Sequence, residues 1–326
     1  MRKSTTLLTK FLFLFVLICM FTPPQLLAQM QEIPLHRETY KLSSGSYIGD
    51  QSGDKLVFSA VVESPGAPWL SIHFGTFNLG QHSYMIMTSL YDSKWQRHDQ
   101  TTLNQWYNYS AFFNGDAVKI ELYAASGDQN IFFSVDELVV GDWYTPTESQ
   151  CGPTDDRVAS SDPAVGRIVS IGCTGWIIPN GSIVTAGHCL DATTANILEF
   201  NVPLSNPNGT INHPGPEDQY SIDQSSRVFV NGGIGNDYGV CRVFPNTVTG
   251  LMPKEAQGAY FTLVQDLTAD PIRITGYGVD DGTANQTQQT NSGPNAGSSG
   301  TTMRYVVDTE GGNSGSPVID ENTHFA

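Results

Sequence analysis

Gly172-Cys173-Thr174-Gly175-Trp176-Ile177-Ile178-Pro179-Asn180-Gly181-Ser182-Ile183-Val184-Thr185-Ala186-Gly187-His188-Cys189 decides the fold of the second half of the chain. Two short runs, 174–178 and 182–185, flank Pro179-Asn180-Gly181, so the stretch reads as a β-hairpin closed by a tight turn. The second run delivers His188 at its end. Cys173 and Cys189 sit at the open end of the hairpin, placed to pair across it. A bridge over a loop of this size contributes about 3 kcal/mol in the chain-entropy model. It also pins the residue beside His188, which a general base needs in order to hold its position.

A second stretch, Asp308-Thr309-Glu310-Gly311-Gly312-Asn313-Ser314-Gly315-Ser316-Pro317, reads as a nucleophile loop. A serine among glycines lies where the backbone turns sharply and its N–H groups stay uncovered. A serine hydroxyl is a poor nucleophile alone. It requires a base, an orienter for the base, and donors for the oxyanion.

Composition sets the frame. The chain has 326 residues and a formal net charge of −16, with only 15% charged residues. Length suggests about two domains, and the abundance of Gly and aromatics favours an all-β chain. No basic stripe is present, which argues against a nucleic-acid partner. Arg2, Lys3 and Lys10 precede the apolar run 11–21 and the small-residue site at Leu26-Leu27-Ala28, the pattern of a signal peptide over residues 1–28. The run is shorter than the roughly 20 residues that span a bilayer, so no membrane span is expected and the mature chain is expected to be secreted. Export leaves Cys151, Cys173, Cys189 and Cys241, an even set that implies disulfides.

Residues 29–148 are aromatic and alternate with period two. Strands are expected at 54–62, 69–74, 83–87, 117–123 and 130–140, separated by turns such as Asn114-Gly115-Asp116, which suggests a β-sandwich. Trp69, Trp95, Trp106, Tyr107 and Tyr109 either pack its core or form a face for a glycan or a surface protein. A pro-segment role is a further alternative. His73, His82 and His98 lack metal-ligand spacing, and no metal or cofactor is expected.

Thr185-Ala186-Gly187-His188-Cys189 followed by Gly312-Asn313-Ser314-Gly315-Ser316-Pro317 resembles the chymotrypsin-like serine peptidases over residues 155–326. Asp308-Thr309 followed by Gly311-Gly312-Asn313-Ser314 is most similar to the glutamyl endopeptidase (V8-like) branch. The resemblance implies a double β-barrel, polypeptide substrates, and a triad in the order His, Asp, Ser. Nine aspartates lie between His188 and Ser314. Asp237 opens the alternating run 237–244, where the family places its aspartate, and Asp223 is the runner-up. Ser314 is then the nucleophile, His188 the base and Asp237 its orienter, with the N–H groups of Gly312 and Ser314 as the oxyanion hole. Cys151 and Cys241 are left to pair with each other.

Several features qualify the resemblance. Gly166-Arg167-Ile168-Val169-Ser170 looks like a zymogen activation site, but Cys173 follows too soon, and 167–171 reads instead as the first barrel strand. Asn313 stands where zymogen-activated relatives carry an aspartate, and a neutral amide cannot pair with a freed N-terminus. Asp308 has the offset that selects basic residues in trypsins. In this sequence context basic, acidic and other cleavage preferences stay open. Relatives also continue past the position of Ala326, so the barrel is expected to be truncated at its C-terminus. An inactive homologue, or a secreted binding module carried by the sandwich, is the alternative function.

Overall fold

The computed structural model describes residues 31–51, 53–144, 155–265 and 270–326. The expected signal segment 1–28, most of the linker, Cys151 and Asp266 lie outside the described residues.

Eight strands build the first half: β1 (Leu35–Ser43), β2 (Lys55–Glu63), β3 (Trp69–Asn78), β4 (Tyr84–Ser89), β5 (Trp95–His98), β6 (Phe113–Asn114), β7 (Ala117–Ala124) and β8 (Phe132–Gly141). They form two antiparallel four-stranded sheets, β1-β8-β3-β6 and β2-β7-β4-β5. Strand β7 alternates strictly, with Val118, Ile120 and Leu122 fully buried. These side chains meet Ile72, Phe74 and Leu138 of the other sheet in one apolar core, the arrangement of a sandwich. All five expected strands form. Strands β1 and β5 escape the sequence reading because charged and polar residues interrupt their alternation.

The aromatic set does not make one face. Trp69 and Trp106 are buried in the core, Trp95 is exposed, and Tyr107 donates to the carbonyl of Ile222 in the second half. The three histidines also part company. His98 is buried against Trp106, and burial lowers its pKa to about 3. His73 pairs with Asp136 at 2.6 Å. The backbone N–H of His82 donates to Asp128.

Asp128 fixes the turn between β3 and β4. Its carboxylate accepts from the N–H groups of Gln81, His82 and Ser83 and from the Ser83 hydroxyl, at 2.8 to 3.0 Å. Burial alone would raise the carboxyl pKa. The four donors outweigh that and lower it to about 2.

The second half begins with the short β9 (Val158–Ala159) and then closes a barrel. Strands β10 (Val165–Val169), β11 (Cys173–Ile177), β12 (Ile183–Thr185), β13 (Ile197–Glu199), β14 (Gln219–Asn231) and β15 (Asp237–Val243) follow the order β10-β11-β12-β15-β14-β13. Its interior holds Ile168, Ile177, Ile183, Leu198, Phe200 and Tyr220. Cys241 is there too, as a free thiol whose pKa burial raises to about 12. The expected bridge at Cys241 is therefore not formed: the side chain points into the barrel core.

The remaining strands are β16 (Ile272–Gly276), β17 (Gln289–Gly293), β18 (Asn295–Ser299), β19 (Thr302–Tyr305) and β20 (Val318–Asp320). They give an open sheet, β20-β16-β17-β9, and a separate β18-β19 hairpin. The polar stretch 276–302, whose composition suggests a mobile surface loop, thus carries β17 and β18. Gln286, Thr287, Gln288 and Gln289 are buried. Gln288 Nε2 donates to the carbonyls of Asp162 and Val165, so polar side chains here replace apolar packing. Among the described residues no helix is long and apolar enough to cross a membrane.

The sandwich is locked onto the barrel. Gln219 on β14 accepts from the N–H of Phe112 at 2.9 Å and donates to its carbonyl at 2.8 Å, as a strand partner would. Asn114 makes the same reciprocal pair with His213. The His213 ring stacks on Phe112 at 4.6 Å and meets the edge of Trp69 at 4.7 Å. On its barrel side His213 Nδ1 lies 2.6 Å from Glu199, which also holds Arg167 at 2.7 Å.

Two outcomes follow from this packing. Asp128→Asn removes the charge but keeps the shape, and is expected to lower stability by about 2–3 kcal/mol in denaturant titrations at neutral pH. The native pKa of Asp128 is depressed, so its contribution is full above pH ~4 and fades as pH falls towards 2; the wild-type–variant difference should vanish over that window. Cys241 should resist iodoacetamide in the folded protein at pH 8 and become alkylated after unfolding, read by peptide mass mapping.

Candidate active site

The expected hairpin forms, with Trp176 paired to Val184 and Ile177 to Ile183. The Cys173–Cys189 disulfide closes its open end. His188 does not end the strand. It is the second residue of a short helix, Gly187–Asp191, which packs against β14 and β15.

Asp237 is the first residue of β15 and reaches His188 twice. One carboxylate oxygen accepts the backbone N–H of His188 at 2.8 Å, and the other lies 2.5 Å from Nδ1 of its ring. The two side chains are 14% and 17% exposed, so the pair is shielded while a path to solvent remains. With the carboxylate on Nδ1, that nitrogen carries the proton and Nε2 is left as the basic atom. Nε2 is buried and, among the described residues, has no hydrogen-bond partner, Ser314 Oγ included. Asp223, the runner-up, lies opposite Arg242 in the β14–β15 ladder, and its carboxylate accepts from Ser225 rather than approaching His188.

The serine loop lies against the same hairpin. The N–H of Thr174 donates to the carbonyl of Ser314 at 2.8 Å, and its hydroxyl donates to the carbonyl of Gly312 at 3.0 Å. Cys189 Sγ lies 3.8 Å from the Ser314 carbonyl oxygen. Gly312 has φ +100°, a conformation closed to a residue with a Cβ, which fits the glycine expected there. Nothing in the sequence marks Thr174 as a support of the serine loop. It stands next to Cys173 in the quoted hairpin, but its buried hydroxyl is indistinguishable in sequence from an ordinary strand threonine.

Asp308 is placed apart from the pair. Its carboxylate accepts the backbone N–H of Asp156 at 2.9 Å, and its own N–H donates to Asn291. It thereby ties the segment leading into β9 to the base of the serine loop. Among the described residues, the group of potential metal ligands close enough to share an ion is Cys173, His188 and Cys189. There the two sulfurs are bonded to each other, so neither is a thiolate ligand.

No protein-family model matches the chain. Over 163 residues, 47% of the chain, it is 31% identical to the glutamyl endopeptidase of Bacillus licheniformis and covers 47% of that protein, so it spans about half the length of this relative. It is 25% identical to the secreted RxLR effector protein 73 of Plasmopara viticola over 307 residues, 80% of this chain and 74% of that protein. Among solved structures, a Glu endopeptidase in complex with MPD aligns over 53% of this chain and 83% of its own at 22% identity, with a TM-score of 0.40. With its closed six-stranded barrel and disulfide-bridged histidine hairpin, the second half of the chain is similar to the chymotrypsin-like serine peptidases, on the side of the glutamyl endopeptidases.

Proposed function

We propose that the protein is an exported serine endopeptidase that cleaves polypeptides through Ser314, His188 and Asp237. The observation that carries this reading is the double contact of Asp237 with the backbone and ring of His188. A carboxylate so held fixes the imidazole tautomer, leaves Nε2 basic, and stabilises the imidazolium that forms in the reaction.

The chemistry follows from these roles. Ser314 Oγ attacks the scissile carbonyl while its proton passes to His188 Nε2. The carbonyl oxygen becomes an oxyanion, met by the N–H groups of Gly312 and Ser314. His188 returns the proton to the leaving amine, and the acyl group stays on Ser314. Water, deprotonated by the same nitrogen, then releases the acid and restores the serine. No ion or organic cofactor enters these steps. Ser314 Oγ and His188 Nε2 are not hydrogen-bonded in the ligand-free chain, a looseness that is common before substrate binds.

The sandwich belongs to the working protein in this reading rather than being a pro-segment shed on maturation. Its contacts with the barrel are reciprocal side-chain-to-backbone pairs with aromatic packing, as buried as contacts within one folded unit.

Ser314→Ala should abolish both fluorophosphonate labelling and peptide hydrolysis, and His188→Ala should lower kcat by about 10^6. Asp237→Asn, which keeps shape but permits the wrong tautomer, should lower kcat by about 10^4. Labelling that survives in Ser314→Ala would sink the assignment.

A further inference from the structure

Two donors beside the serine loop are buried without a hydrogen-bond partner: Nη1 of Arg157 and Nδ2 of Asn313. They face each other across Gly278. A Cβ at that position would overlap both atoms, so the two are no more than about 5 Å apart. The Arg157 side chain is only 3% exposed. Its Nε and Nη2 bind the carboxylate of Asp155, and Nη2 also donates to the carbonyl of Val279 at 2.7 Å, which leaves Nη1 over. Asn313 turns its Oδ1 the other way, towards the Ser316 hydroxyl at 3.4 Å, longer than a good O–H···O bond.

The oxygen and nitrogen of an asparagine amide differ only in what they bond to. Half a turn about the last side-chain bond puts Oδ1 before Arg157 Nη1. The same turn puts Nδ2 before Ser316 Oγ, which accepts as readily as it donates. One rotation therefore turns an acceptor towards each orphan donor, within about 5 Å for Nη1 and at 3.4 Å for Nδ2.

We propose that Arg157 donates through Nη1 to the side-chain carbonyl of Asn313, and that this bond sets the backbone of the serine loop for catalysis. Arg157 is then a positioning residue, acting through the loop and not on substrate. Its grip is double. The Val279 carbonyl that accepts from Nη2 belongs to a residue whose N–H donates to Gly311 at 2.8 Å, so the guanidinium holds the loop at Gly311 as well as at Asn313. A third tie runs from Asp308 to the N–H of Asp156, next to Arg157. A cation fixed within the chain supplies what a freed N-terminus cannot offer to a neutral Asn313. This inference rests on Ser314 being the nucleophile.

The test uses the full chain and two kinds of readout. Arg157→Ala should slow fluorophosphonate labelling and lower kcat by about 10- to 100-fold, somewhat less than the loss of an oxyanion donor, with KM changed less than threefold. Millimolar guanidinium ion should restore a large part of the labelling rate. Asn313→Leu, which leaves the Arg157–Asp155 pair intact, should slow labelling similarly, and Asn313→Asp should keep it. Independently of activity, Tm shifts of Arg157→Ala, Asn313→Ala and the double variant should be non-additive. Wild-type labelling in Arg157→Ala, a loss that guanidinium does not relieve, or additive Tm shifts would each overturn the proposal. If the wild type itself is not labelled while the Tm shifts are non-additive, the peptidase reading falls and the Arg157–Asn313 bond stands.

Discussion

Glu199 is an ionisable group with no exposed surface, and much of the molecule is arranged around keeping it paired. Burial alone would push its carboxyl up, but His213 and Arg167 outweigh that and hold it below the usual range. Arg167 supplies the charge. Its Nε and Nη2 grip the carboxylate, while Nη1 donates to the carbonyl of Gln286 and Nη2 to that of Asn212. Burial lowers the pKa of His213, against the pull of Glu199, whose carboxylate lies 2.6 Å from its Nδ1. Removing one member of such a set leaves a bare buried charge, a loss of about 3–5 kcal/mol. Arg167 and Glu199 face each other on neighbouring barrel strands, His213 touches the sandwich, and Gln286 belongs to the segment between the strands of the open sheet. Three parts of the chain are thereby fixed to one carboxylate.

This arrangement explains why the candidate site comes together from distant segments. His188 and Asp237 are carried by the closed barrel, and Ser314 by the connection between β19 and β20. The carbonyls of Ser314 and Gly312 both rest on Thr174, so the hairpin that leads to His188 also holds the loop of Ser314. Behind that loop, Gln286 donates its N–H to the carbonyl of Gly278, the residue packed between Arg157 and Asn313. Gln286 also receives Arg167, so the support of the serine loop and the anchor of the sandwich meet at one residue.

The parts legible in sequence were those whose signal is local. A turn tripeptide between β-branched runs, with a cysteine at each end, specifies a hairpin and its bridge, whereas Asp237 is singled out among nine aspartates by the resemblance to the peptidase family. The sandwich strands were legible for the same reason, by their period. What escaped is non-local. Arg167 and Glu199 are 32 positions apart and belong to residue types that are usually solvated, so nothing in the sequence marks them as a buried pair. The stretch from Gln286 to Gln289 has the composition of a loop, and only its hydrogen bonds to Asp162, Val165 and Tyr277 make it an interior segment. Counting cysteines gives Cys241 a partner, whereas its place in the strand alternation puts it inside the barrel.

Asn313 shows how one neutral side chain changes the physics of a whole loop. A carboxylate at that position would call for a mobile cation, and an α-amino group would serve only below its pKa of about 8. A guanidinium stays charged at any pH at which the barrel is folded, and an amide carbonyl does not titrate at all. A contact of that kind, proposed between Arg157 and Asn313, needs no freed N-terminus and contains no group that titrates near neutral pH.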